Sequence, residues 1–473
     1  MPHEGEKQLS ELLAGVGRCD ITPAPGTPQG GWGAQAHQRG SGTEMPMYAT
    51  AIALREGDVR CVIVEADAIG FDQEWTDRIV SAIAALTGLP PSQLRFSCSH
   101  THSGANTFRL ANISEGRDMI DSYLASLPHR IAAAAWQALQ QMEPVHVGSG
   151  CGSCAISRIR RVHAQGGEVV VGVNEEAVAD STVGVIRFDR YDGSTLATVV
   201  HYACHPTTVG WQSDQFTPDY PGPMRFVVEK QLGGTCLFLQ GAAGDLGPRR
   251  GFCGDLSVYR RLGEELGLAA ASIALAVDTM QHKAELVSVM PSGANIAQYT
   301  YRPSSDNTPL GMMSRRLQLP IRTLQSEHEI AKELEDLRER VEELRAASNL
   351  SEMLLVQAKA TQMGWRLENS RRYGGQATTE WPMQVIRIGS TALVSIAGEP
   401  FSSIAKRIRA ESAATVTFVS GYSNGGFGYI PDRAAYAEGG YEVEATPFSE
   451  DAADIVVGEA LAAIRELFQE VHL

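Results

Sequence analysis

The chain has 473 residues, 43% of them hydrophobic and 20% charged, with 47 glycines. This is the composition of a turn-rich globular protein with a sizeable core, and it excludes a mostly disordered chain. Forty Lys and Arg against 55 Asp and Glu leave a net charge of −15, which opposes nonspecific attraction to nucleic acid or to an anionic membrane.

At the N-terminus, "MPHEGEKQLSELLAGVGRCDITP" carries no basic region followed by an apolar stretch, and nowhere does an apolar run approach ~18 residues. The chain is therefore expected to be soluble and cytoplasmic. Over the first 290 residues, strand-like apolar runs alternate with longer amphipathic segments, which predicts an α/β or mixed α+β fold. The strand candidates are "CVIVEAD", "LRFSCS", "LATVVHYA" and "CLFLQGAA". Helix candidates lie between them: "QEWTDRIVSAIAALTG", closed by a glycine, and "DMIDSYLASLPHRIAAAAWQALQQM", whose proline predicts a break or kink. Eight scattered cysteines do not form a disulfide scaffold, and Cys151 and Cys154 read as free thiols in a loop.

From about residue 322 to 372 the sequence becomes dense in Glu, Arg, Leu and Ala at helical spacing. A helical hairpin is expected there, charged on its solvated face and inserted into one fold that spans 1–473. Strand-like runs resume at "MQVIRIG", "TALVSIAGEP" and "TVTFVSGYSNGG", and a last amphipathic helix begins near residue 450. The fold class expected is a mixed β-sheet core flanked by helices.

Histidines mark the ends of two strand candidates. In "LRFSCSHTHSG", His100 and His102 share the parity of Leu94, Phe96 and Cys98, so continued extension would project both imidazoles to one side. "HYACHP" repeats the theme with His201 and His205 after the run "LATVV". Each pair reads either as metal ligands or as strand-end side chains that are merely hydrogen-bonded. Zinc takes three or four N, O or S ligands, so a carboxylate is needed, and Glu399 in "VSIAGEPF" again follows an apolar run. Its alternative role is a carboxylate at the N-terminus of the helix expected from "FSSIAKRIRA". "QGAAGDLGPRRG" fits no nucleotide-binding fingerprint and reads as a tight strand-end loop, while "GYSNGGFGYIPDRAAYAEGGYEVE" reads as a tyrosine-rich loop.

Taken in order, "GVGRCDITP", "SHTHSG", "ACHP", "GDLGP", "GEPF" and the tyrosine-rich tail resemble the catalytic domain of the neutral/alkaline non-lysosomal ceramidases, over nearly the whole chain. The resemblance implies a Zn2+-dependent hydrolase that cleaves a C–N amide bond by attack of a zinc-bound water. It implies His100, His205, Glu399 and Tyr429 as metal ligands. It also implies His102 as general base, with Arg158 from "ISRI" and Tyr441, twelve residues after Tyr429, as donors to the scissile carbonyl. Asp67 and Asp20 read as loop caps or as groups supporting the site from behind.

Three departures from the family bear on the substrate. Gly247 stands where the family has a serine, the chain stops without the family's C-terminal immunoglobulin-like domain, and it opens without a secretion signal. A covalent serine route through residue 247 is excluded, and Arg249 is expected to put positive charge near the substrate. The partner implied is a small soluble amide, anionic if Arg249 reads it, with no nucleic acid and no membrane; homo-oligomer formation stays open. The alternatives are an esterase or lactonase at the same zinc, a ceramide amidase, and a zinc-containing binding protein without activity.

Overall fold

The computed structural model describes residues 11–469 apart from 33, 34, 36, 109–112, 114, 281, 304–307 and 427. An eight-stranded mixed sheet is built from Leu12–Asp20, Tyr48–Glu56, Val59–Ala66, Leu94–Cys98, Glu143–Ser153, Thr182–Arg190, Thr195–Tyr202 and Thr235–Gln240. Most of its pairings are antiparallel. The two that carry the histidine motifs are parallel: Val59–Ala66 with Leu94–Cys98, and Thr195–Tyr202 with Thr235–Gln240. A second sheet of four strands contains Leu310–Pro320, Thr378–Ile388, Thr391–Ile396 and Val416–Ser420.

Strand parity explains why these runs read as continuously apolar. Ala51, Ala53, Val62 and Val64 pack under the helices Gln73–Thr87 and Arg117–Gln140, whereas Ile52, Leu54, Cys61 and Ile63 face the second sheet, meeting Ile386, Leu393 and Phe418. On the second sheet's far face, Val385, Val394 and Val419 pack against helices Ser402–Glu411 and Ala452–Gln469. Both faces of both sheets are therefore covered, a helix–sheet–sheet–helix stack in which period-2 alternation carries no polar signal.

The local signals fare well at helix ends and poorly at proline. Gly88 caps Gln73–Thr87 at φ 72°, as the closing glycine predicted. The helix Arg117–Gln140 continues through Pro128 without a break; the packing of Leu124, Leu127 and Ile131 against the sheet outweighs one lost backbone hydrogen bond. Cys151 lies in a strand rather than a loop, and all eight cysteines are free.

The charged segment forms two helices, Glu327–Ala346 and Leu350–Tyr373, with Ser326 and Glu329 making a capping box at the first. The strands on either side of them, Leu310–Pro320 and Thr378–Ile388, pair antiparallel along their full length, so the hairpin is an excursion between sheet neighbours. Its own core is thin, with Ile330, Leu334 and Leu367 buried between the helices.

Candidate metal centre

Three strands end at one place. Leu94–Cys98 releases the chain into His100 and His102, Thr195–Tyr202 into His205, and Thr391–Ile396 into Glu399. Extension does not continue past Cys98. His100 sits in the left-handed region at φ 68°, its N–H bonded to Ala68 O at 2.9 Å, so the shared parity of the two histidines is not what aligns them. His102 N–H instead donates to Pro206 O at 3.3 Å, which ties the two histidine loops together. Gly398, at φ 77°, makes the turn before Glu399; a Cβ there would meet Gly428 O at 2.6 Å. Immediately after it, Glu399 and Tyr429 are register partners in a short parallel pairing, so backbone hydrogen bonding brings together two side chains 30 positions apart, with helix Ser402–Glu411 and strand Val416–Ser420 between them.

All three imidazoles are oriented the same way. Nδ1 lies 2.5 Å from Ile69 O in His100, 3.1 Å from Gly31 O in His102 and 2.7 Å from Ala243 O in His205. A carbonyl only accepts, so each Nδ1 carries the hydrogen and each Nε2 keeps its lone pair. One ligand atom from each of the three lies within 4.8 Å of the others. Oε2 of Glu399 stands 3.5 Å from His100 Nε2 and 3.2 Å from His205 Nε2.

The Nε2 atoms of His102 and His205 are buried and lack a hydrogen-bond partner. Lone-pair nitrogens facing a carboxylate oxygen at these distances repel unless a cation sits among them. Burial holds His100 and His205 down to about 4 and His102 to about 3, so all three rings are neutral at physiological pH, the form that binds a metal. Burial alone would raise Glu399, but His100, His205 and Arg160 bring it down to about 2. Neutral imidazoles, an ionised carboxylate and orphaned nitrogens fit a divalent cation such as zinc.

Tyr429 is buried beside this group, and its hydroxyl accepts a hydrogen bond from Arg160 Nη2 at 3.1 Å. Burial, reinforced by Glu399, pushes that hydroxyl well above the usual phenol range. Tyr441 stacks edge-on against Tyr429, ring centroids 5.4 Å apart. Two side chains not singled out in the sequence also belong here. Tyr422 lays its ring 4.3 Å from that of His100 and directs its hydroxyl at Glu399 Oε2, 3.4 Å away.

The other is Arg160, and it occupies the place expected of Arg158. Arg158 points away, donating to Ala155 O and Ser157 O and pairing with exposed Glu175 at 3.6 Å. A register shift in the strand Ser157–His163, between Ile159 and Arg161, turns Arg160 inward. There its Nε meets Glu442 at 2.8 Å; Glu442 also holds Arg161 at 2.8 Å.

Arg249 is likewise not where it was expected. It forms a two-pronged ion pair with Glu265, at 2.7 and 2.6 Å, outside the cavity. Asp67 is paired with Arg225, and Asp20 caps Thr22. The carboxylate at the N-terminus of helix Ser402–Glu411 is Asp245, which accepts from the Ser402 N–H at 2.6 Å and from its hydroxyl at 2.8 Å. Glu399 is thereby free of that duty. Gly247 lies against Arg160, and a Cβ there would stand 3.5 Å from the Arg160 Cβ, an ordinary contact.

The centre opens into a cavity of about 1860 Å³. One wall is aromatic: Trp32 stands 5.0 Å from His102, with Trp211 and Phe252 5.9 and 5.5 Å from Trp32. The opposite wall is the helical hairpin of the same chain, including Leu334, Arg338, Gly364 and Trp365. Among the described residues no helix is long and apolar enough to cross a membrane.

No protein-family model and no curated protein sequence matches this chain. Solved structures do. The neutral ceramidase from Pseudomonas aeruginosa superposes with a TM-score of 0.69 at 18% identity, covering 97% of this chain and 75% of that one. A structure described as ceramidase complexed with C2 gives 0.68 at 16% identity, covering 98% and 76%. The chain therefore has the neutral ceramidase fold over nearly its whole length.

Proposed function

We propose that the protein is a zinc-dependent hydrolase that cleaves a C–N amide bond. The observation that carries this reading is the convergence of three neutral, carbonyl-anchored imidazoles, with the Nε2 atoms of His102 and His205 unpartnered, on the ionised Glu399 at the floor of a cavity. The shared fold with neutral ceramidases supports it. His100, His205, Glu399 and Tyr429 would hold the metal, which when bound lowers the pKa of a water to about 7 and polarises a carbonyl.

The remaining groups have distinct tasks. His102 is neutral and fixed through Nδ1 to Gly31 O, so its Nε2 accepts the proton of the attacking water and passes it to the leaving amine nitrogen. Arg160 is locked by Glu442 and Tyr429, and burial is outweighed by Tyr429, Glu442 and Glu399 in keeping it charged. It stabilises the carbonyl oxygen as negative charge develops, with the Tyr441 hydroxyl as second donor. With glycine at 247, that position offers no hydroxyl to act as a nucleophile.

The cavity exceeds the ~300–1,000 Å³ of an ordinary small-ligand pocket. The substrate is accordingly an amide with an apolar part that lies on Trp32, Trp211 and Phe252, and Arg249, committed to Glu265 outside the cavity, does not select for an anion. Paired amides and esters that share one acyl group, in short- and long-chain versions, test the reading. Turnover of the amides supports it; turnover of the esters alone replaces it with an esterase.

A further inference from the structure

The helical hairpin packs on the short helix Tyr441–Ala445. Trp365 packs edge-on against Tyr441, ring centroids 5.1 Å apart and planes at 64°. Arg366 pairs with Glu444 at 2.7 Å, and Asn369 Nδ2 donates to Ala445 O at 2.8 Å. From its other side the same helix is held by Arg160 and Arg161 through Glu442. Five residues make little more than one turn, too short to be stable alone, and the helix follows two glycines in positive φ, Gly439 and Gly440. Its position is therefore set by what clamps it.

Resting on the amidase reading, we propose that Trp365 is a positioning residue for Tyr441, so that the hairpin completes the catalytic site of its own chain. The aromatic series runs Trp365, Tyr441, Tyr429 at contacts of 5.1 and 5.4 Å, and Tyr429 ends at the Arg160 guanidinium. Edge-to-face contacts fix ring direction as well as separation, and a donor acts on a developing oxyanion only when its hydroxyl is already aimed. Trp365 itself touches no reacting atom; it prevents Tyr441 from swinging into the cavity that both line.

The test is a cycle on the zinc-loaded full-length protein. Trp365→Ala is expected to lower kcat roughly tenfold or more, up to the ~10²–10³ lost when an oxyanion donor is removed outright, with KM and zinc content nearly unchanged. Trp365→Phe, which retains an edge-to-face partner, restores most of the loss. Tyr441→Phe added to Trp365→Ala costs little more, because the donor is already misplaced. Wild-type kcat in Trp365→Ala, or losses that multiply fully in the double variant, overturns the proposal. A crystal structure of Trp365→Ala decides independently of turnover: a displaced Tyr441 ring supports the role and an unmoved ring refutes it. If the wild type hydrolyses no amide, the amidase reading falls and that structural result still judges the positioning.

Discussion

Replacing Arg160 and Arg158 separately by alanine tests which arginine serves the site. Arg160→Ala removes the Nε bond to Glu442 at 2.8 Å and the Nη2 bond to Tyr429 at 3.1 Å. Glu442 is not orphaned, because Arg161 Nη1 still reaches it at 2.8 Å. The stability loss should thus be about 1–3 kcal/mol, the range for charge-assisted hydrogen bonds, and below the ~3–5 kcal/mol of an uncompensated buried charge. Glu442→Ala supplies that larger value through Arg160, which loses its carboxylate partner while buried, whereas Arg161 keeps Glu438 at 3.2 Å and Gly439 O at 2.7 Å. Turnover separates the two arginines further. Loss of the Arg160 donor is expected to cut kcat/KM by ~10²–10³, whereas Arg158→Ala, which removes a half-buried side chain paired with exposed Glu175, stays within about twofold in rate and ~0.5 kcal/mol in stability. The assay is kcat/KM on one amide, with urea unfolding midpoints measured in parallel. A large loss in Arg158→Ala with a wild-type Arg160→Ala would refute the assignment.

The other predictions concern the remaining groups. His102→Ala should keep its zinc and lose turnover by ~10²–10⁴, while His100→Ala and His205→Ala lose zinc; elemental analysis beside the rate assay separates base from ligand. Gly247→Ser should fold with a stability within ~0.5–1 kcal/mol of wild type, because its Cβ meets Arg160 at an ordinary 3.5 Å; a midpoint shift beyond that range would show the space is not there. His201, whose Nε2 hydrogen bonds to Val419 O at 2.9 Å, is held down by burial to about 4 against an ordinary value near 6.5. Between those two pH values the unfolded chain binds the extra proton. The stability that His201 contributes at neutral pH, ~3 kcal/mol, is therefore lost as pH falls through this window. His201→Asn should lessen the slope of unfolding free energy against pH between about 6.5 and 4 by the share of one buried histidine, with His100, His102 and His205 keeping theirs; an unchanged slope contradicts the assignment.

What could be read in the chain follows from where the information lies. His100, His205 and Glu399 each sit just past an apolar run, and a strand end is a place where a turn can aim a side chain, so their candidacy was visible locally. The common orientation of the imidazoles of His100, His102 and His205 was not, because it comes from the carbonyls of Ile69, Gly31 and Ala243, which are distant in sequence. The parity argument for His100 and His102 failed at the left-handed φ of His100. Arg160 was hidden twice, by the register shift that turns it inward and by its partner Glu442, 282 residues away. Arg249 misled because an arginine beside a glycine-rich loop looks available until Glu265 is seen on the facing helix. The hairpin's helices were legible from composition and capping, but their contact with Tyr441 is a product of tertiary packing alone.

Metal removal and restoration tests the central claim most directly. Protein stripped of metal by a chelator, assayed on an amide and then titrated with zinc, should be inactive and regain full turnover at one zinc per chain, with His100→Ala failing to recover. Full activity in the stripped protein, or recovery unaffected by loss of His100, would contradict the account.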